Sequence, residues 1–187
     1  MTLTPLSGPP TARLLEAIYF AAEQHRDHRR KGQTAAPYIN HPILVATQLA
    51  RAGFGDDEEL LMAAVLHDVI EDTETTRAEL ARKFGEAVAG VVMEVSDDKS
   101  LPEQERKLMA VSTIAAKSGR AQLLKLSDLI ANIRDVIHQP PNWNAGRKHR
   151  YFDWAENVVR QIRGVHPALE AELAQLLEEG RRQVGST

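Results

Sequence analysis

The stretch LHDVIEDTE, Leu66–Glu74, follows an apolar run, Leu60–Leu66, with no charge in it. It then sets His67, Asp68, Glu71 and Asp72 within about a turn and a half. At about 100° per residue on one continuous helix, His67 lies one turn from Glu71 and Asp68 one turn from Asp72. All four groups would then share one side. Taking an isolated carboxylate out of water is strongly unfavourable unless something compensates. A divalent cation compensates well, because it brings positive charge to Asp68 and a Lewis acid to the imidazole. Beside such an ion, two carboxylates suit a water nucleophile: one accepts its proton and the other fixes its direction. Glu71 and Asp72 are therefore candidate catalytic groups, and their mutual repulsion is expected to raise the pKa of one. The plainer alternative makes them first-turn acids of the next segment, or makes Asp72 a cap for the TETT turn.

One His–Asp pair cannot complete a metal site. PYINHPI offers His41 at the start of a helix, and LLKLSDLIANIRD offers Asp128 on the polar edge of an amphipathic one. In that helix Leu123, Leu126, Leu129, Ile130, Ile133 and Ile137 define the apolar arc. Asn132 lies one turn beyond Asp128, with Lys125 nearby. Two imidazoles and two carboxylates, with no thiolate, suit manganese, iron, cobalt or zinc. Four protein ligands leave places for water and a phosphate oxygen, as a hydrolytic site requires.

The elements that must position these groups read as helices throughout. TARLLEAIYFAAEQHRDHRRK has Thr11 as a plausible N-cap and places Leu14, Leu15, Ile18, Tyr19 and Ala22 on one face. Gly53 and Gly85 read as helix breaks, and Pro140 and Pro141 stop the helix that carries Asp128. Strand-like alternation is absent. The expected fold is a compact all-α bundle of roughly eight to ten helices, residues 11–184, as a single domain. Residues 1–10, with Pro5, Gly8, Pro9 and Pro10, read as a loose arm, and GRRQVGST at the far end as a fraying tail.

Composition narrows the function classes. The net charge is −3, which argues for neither nucleic acid nor an anionic membrane as a partner. There is no cysteine, so disulfides and thiolate metal sites are excluded, in keeping with a reducing cytoplasm. The opening residues lack the basic-then-apolar pattern of a secretory signal, and no apolar run spans a bilayer. Oligomeric state is not legible.

The ordered set FAAEQHRDHRRKGQTAAPYINHPI, AAVLHDVIEDTETT, SDDKSLPEQERK, KLSDLIANIRD and YFDWA resembles the hydrolase domain of RelA/SpoT homologues. These belong to the HD superfamily of metal-dependent phosphohydrolases, and the likeness is greatest to the small alarmone hydrolases, metazoan SpoT homologues included. It covers roughly residues 14 to 180. The resemblance implies an HD-domain enzyme that removes the 3′-diphosphate of (p)ppGpp with one Mn²⁺, giving GDP or GTP and pyrophosphate. It implies His41, His67, Asp68 and Asp128 as metal ligands, with Glu71 and Asp72 handling the attacking water. Asn132 would contact the substrate beside the metal, and Arg30 and Lys31 would lie near the base and phosphates. Arg147 and Tyr151, one turn apart, either line the nucleotide pocket or are a surface Arg and a packed Tyr. Phe152 and Trp154 read as core. The family's synthetase half would need a second domain, for which this chain has no room.

Three departures from the family pattern stand out. Leu129 replaces a usual Lys or Arg, Ala131 replaces a frequent aromatic or His, and RRKG lacks the usual Asp or Ser after the Lys. They leave the metal set intact and open the purine substrate to an adenine alarmone or to NADPH. His25, His138, His149 and His166 show no evident partners in the sequence, and His28 reads as part of a solvated helix end.

Overall fold

A computed structural model describes residues 9–32 and 34–185. The expected loose arm falls almost wholly outside the described residues. Among those described there are ten α-helices and no β-strand, as an all-α fold requires. No helix among them is long and apolar enough to cross a membrane.

The chain forms two compact units. The first comprises the chain up to His28 together with Pro37–Asp98, and the second comprises Arg29–Ala36 with Lys99 onward.

The first unit is built on α3, Glu58–Leu66. Every residue from Leu60 to Leu66 is buried, so this helix is apolar on all sides and needs neighbours all round. It gets them from α1 (Pro10–Gln24), α2 (Asn40–Leu49) and α6 (Glu86–Val95). Its start is set by Asp57, whose Oδ1 accepts from the Leu60 amide at 3.1 Å, and by Glu58 and Glu59 at the positive end of the dipole. A π-helical turn, Ala50–Phe54, closes α2 at Gly53, where φ is 103°. After α3 come the four-residue α4 (Val69–Asp72) and α5 (Arg77–Phe84), and Gly85 at φ 96° separates α5 from α6.

Two readings of α1 need correction. The helix opens at Pro10, with Pro9 as its uncapped flank, so Thr11 is inside it rather than its N-cap. A proline suits that first position because its missing N–H is not needed there. The buried face is carried by Ala17 and Ala21, whereas Leu15 and Tyr19 are 60% and 68% exposed. Small residues let α1 close on α3, and the wheel alone did not rank that arc above the bulkier one.

The second unit has α7 (Glu103–Thr113) continued by a 3₁₀ turn (Ile114–Ala116), then α8 (Gly119–His138), α9 (Ala145–Arg160) and α10 (Pro167–Gly185). α8 packs on α9 and α10. Its cap is Ser118, whose Oγ accepts from the Ala121 amide, and Asn144 caps α9 in the same way. His166 Nδ1 accepts from the Leu169 amide and so caps α10, a role its sequence context did not disclose. The expected fraying tail is helical through Gly185, and residues 186–187 lie outside the described set. Gly180 explains part of this. A Cβ there would stand 2.7 Å from Phe152 Cζ, so the absence of a side chain lets α10 seat on the buried Phe152 ring.

Gly180→Leu therefore tests the packing of the second unit. Helix propensity alone would stabilise this substitution by about 1 kcal/mol. Overpacking against Phe152 and Ile137 opposes it by roughly 1–3 kcal/mol, and more for a side chain of this size. The expected outcome is a lower urea midpoint than wild type.

Candidate active site

In the first unit the apolar helix α3 stops at Leu66, and His67 and Asp68 form a turn before α4 resumes at Val69. This corrects the single uninterrupted helix. The backbone still spirals, with the Asp72 amide donating to the Asp68 carbonyl at 2.9 Å, but the turn lets the two side chains converge. His67 Nε2 lies 3.1 Å from Asp68 Oδ2, and His41 Nε2 lies 3.9 Å from the same oxygen. The two imidazole centroids are 5.3 Å apart, at 62°. Both rings are buried.

The tautomer of His67 follows from its partner. Nδ1 lies 2.7 Å from the Ala64 carbonyl, which can only accept, so Nδ1 carries the proton. In the neutral ring, Nε2 then presents a lone pair to a carboxylate oxygen. Two acceptors at 3.1 Å repel unless a proton or a cation lies against them, and two imidazole nitrogens with a carboxylate are the donors a borderline divalent ion takes. The residues present fit the ion that the sequence implied.

Glu71 Oε2 accepts from the Asp97 amide at 3.2 Å, so the SDD segment reaches back to α4. Burial pushes the Glu71 carboxyl above its ordinary value, and the charges of Asp68, Asp97 and Asp72 add to this, while the Asp97 N–H opposes it. A raised carboxyl was expected, but its main cause is desolvation, and Asp72 contributes less than Asp68 or Asp97. Asp72 is half-buried. The TETT turn is closed by Thr73, whose Oγ1 accepts from the Thr75 amide, and Thr76 caps α5.

Three residues beside this cluster were not recognised in the sequence. His25 is 2% exposed, its Nδ1 lies 3.0 Å from His28 Nδ1, and its ring lies over Tyr38 at 4.8 Å. Burial lowers the His25 pKa, with Asp68 the main opposing charge. Tyr38 Oη donates to Asp68 Oδ2 at 2.7 Å. The available signals were the three-residue spacings His25–His28 and Tyr38–His41.

In the second unit, Asp128 is not on a polar edge. It is 7% exposed, with Ser127, Leu129 and Ala131 fully buried around it. Both its oxygens are held: Asn132 Nδ2 donates to Oδ1 at 2.6 Å and Lys125 Nζ to Oδ2 at 3.1 Å. Arg30 orients this pair in turn, donating from Nη2 to Asn132 Oδ1 at 2.7 Å and from Nε to Asp135 Oδ2 at 2.9 Å. Its guanidinium is thus anchored on α8, whereas Lys31 is exposed. The burial of Leu129 and Ala131 also places two of the family departures in the core.

Arg147 is exposed and stacks over Trp143 at 4.5 Å. Tyr151 meets Trp143 edge-on and Trp154 obliquely, each at 5.5 Å. Burial, and next the Asp128 charge, push the Tyr151 hydroxyl pKa up. Phe152 is core, as expected, while Trp154 is half-buried and its Nε1 donates to the Lys107 carbonyl at 3.0 Å.

Comparison with known proteins gives this geometry its context. Residues 17–152 match the HD domain family. The chain is 48% identical over 172 residues to the guanosine-3′,5′-bis(diphosphate) 3′-pyrophosphohydrolase MESH1 of Danio rerio, covering 91% of this chain and 96% of that protein. The Homo sapiens protein of the same name is 43% identical over 173 residues, covering 92% and 97%. A solved structure described as a metazoan orthologue of SpoT that hydrolyses ppGpp superposes with a TM-score of 0.88 at 41% identity, covering 92% of this chain and 98% of that one. With whole-length similarity of this order and the His–Asp pair in place on its turn, the chain belongs to the HD-domain family, in the branch of the metazoan SpoT homologues.

Proposed function

We propose that this protein is a Mn²⁺-dependent, cytoplasmic hydrolase that removes the 3′-diphosphate of (p)ppGpp, giving GDP or GTP and pyrophosphate, with residues 11–184 acting as a single HD phosphohydrolase domain. The convergence of His41 and His67 on the Asp68 carboxylate carries the reading, and similarity to curated ppGpp pyrophosphohydrolases supports it. His41, His67, Asp68 and Asp128 would hold the ion. When bound, it supplies a Lewis acid that draws charge from the phosphoryl oxygens and makes water more acidic.

The chain's own groups divide the remaining work. The raised pKa of Glu71 suits it to take the proton of the attacking water, and Asp72 directs that water at the 3′-linked phosphorus. Asn132 has a double duty, steadying Asp128 and facing the substrate beside it. Arg30 and Lys31 serve the base and phosphates, Arg30 from its anchorage on Asp135. Arg147 and Tyr151, on the aromatic shelf with Trp143, serve the nucleotide.

The direct test incubates the protein and Mn²⁺ with ppGpp, ppApp or NADPH and identifies the products. Pyrophosphate and GDP from ppGpp are expected. Full turnover of ppGpp by metal-free protein refutes the reading, and orthophosphate release points to another phosphatase activity. His67→Ala and Asp128→Ala should lose metal and activity together, by more than the roughly 10–100-fold that loss of an outer-shell partner costs. Asp72→Asn should bind Mn²⁺ as wild type does while kcat falls by roughly 10²–10⁴-fold.

Glu71 gives a pH prediction that needs no metal. Its folded pKa is raised, so folding is penalised when the carboxylate is ionised and not when it is protonated. Stability therefore falls as pH rises from below the ordinary glutamate value through the raised one. In EDTA-treated protein, Glu71→Gln should raise the melting temperature at pH 7, and the gain should vanish below the ordinary glutamate pKa.

A further inference from the structure

We infer that Tyr38 is a positioning residue for Asp68, aiming its carboxylate at His41 and His67 from a ring seated on His25; the inference rests on the metal site proposed above. Asp68 sits on a short turn between α3 and α4 and is half-buried. The Tyr38 hydroxyl donates at 2.7 Å to Oδ2, the same oxygen that stands 3.1 Å from His67 Nε2 and 3.9 Å from His41 Nε2. A donor on that oxygen selects one carboxylate orientation and leaves the remaining lone pair directed at the imidazoles. A neutral hydroxyl does this without competing with an incoming cation, as an ammonium would.

The donor is itself fixed. The Tyr38 ring lies on His25 at 4.8 Å with a 30° interplanar angle, and it meets His41 edge-on at 6.0 Å. The Tyr38 amide donates to the His28 carbonyl at 3.1 Å, and the His28 imidazole meets His25 at 3.0 Å between their Nδ1 atoms. His25 is buried, so this shelf has little freedom. The segment Tyr38–His41 thus delivers an ion ligand and, three residues earlier, the group that orients another ligand. Outer-shell partners of this kind fix the ligand orientation that metal affinity depends on.

The test is calorimetric titration of Mn²⁺ into metal-stripped wild-type, Tyr38→Phe, His25→Ala and His67→Ala proteins, each checked for helical circular dichroism. The visible spectrum of the Co²⁺ forms is a second readout. Tyr38→Phe keeps the ring and removes only the hydroxyl. Its Mn²⁺ dissociation constant should rise by about 10–100-fold, and its Co²⁺ d–d bands should move. His25→Ala removes the shelf and leaves the hydroxyl, and should weaken binding in the same direction by less. If both variants bind Mn²⁺ as tightly as wild type while His67→Ala loses it, Tyr38 has no positioning role and the metal site stands. If His67→Ala also keeps wild-type affinity, the metal-site reading fails and takes this inference with it.

Discussion

The approach of two buried imidazoles to one aspartate oxygen is the constraint that organises the first unit. In the neutral ring, His67 Nε2 presents a lone pair to Asp68 Oδ2 at 3.1 Å, because the Ala64 carbonyl holds the Nδ1 proton. Beside two buried rings such an arrangement is costly unless a proton or a cation resolves it. α3 is buried over its whole apolar stretch, and the His–Asp pair sits at its C-terminal end, where the backbone turns and frees the side chains to point together.

The second unit answers the same problem by a different route. Asp128 is buried on α8, and both its oxygens are hydrogen-bonded, one by an amide and one by an ammonium. Asn132 is oriented in turn by Arg30, which also pairs with Asp135. A chain of donors therefore runs from Arg30 through Asn132 to Asp128. A buried carboxylate held in this manner has a fixed direction before any ligand arrives, as a preorganised site requires. The aromatic shelf of Trp143, Tyr151 and Trp154 carries its cations on its faces, Arg147 at one end and Lys125 at the other. Apart from Arg30, the network is made by side chains about one helical turn apart on α8, and Tyr151 and Trp154 of the shelf both lie on α9.

The all-α class, the breaks at Gly53 and Gly85, the stop at Pro140 and the His–Asp pair were legible because each depends on local chemistry: hydrophobic period, φ preference, the missing proline N–H, and the incompatibility of a carboxylate with an apolar run. The buried face of α1 was not legible, since Leu15 with Tyr19 and Ala17 with Ala21 are equally good stripes until α3 is laid against one of them. Asp128 looked like an edge residue because a helical wheel shows Asn132 and Lys125 beside it but not how deeply the fold buries it. The cause of the raised Glu71 carboxyl was misassigned for a related reason: charge repulsion is visible in a sequence, and desolvation is not. His25 shows no partner in the local pattern because the ring it packs on is that of Tyr38, thirteen positions on.

By itself, the sequence determined which groups are available for chemistry and that they suit a divalent cation, because residue type and spacing along a helix are local properties. The tertiary structure decided the direction of each group: the turn that brings His67 to Asp68, the hydroxyl that meets the same oxygen, and the donors that pin Asp128. Part of that direction is set by contacts between residues far apart in the chain, Tyr38 with Asp68 and Arg30 with Asn132, which no local pattern encodes.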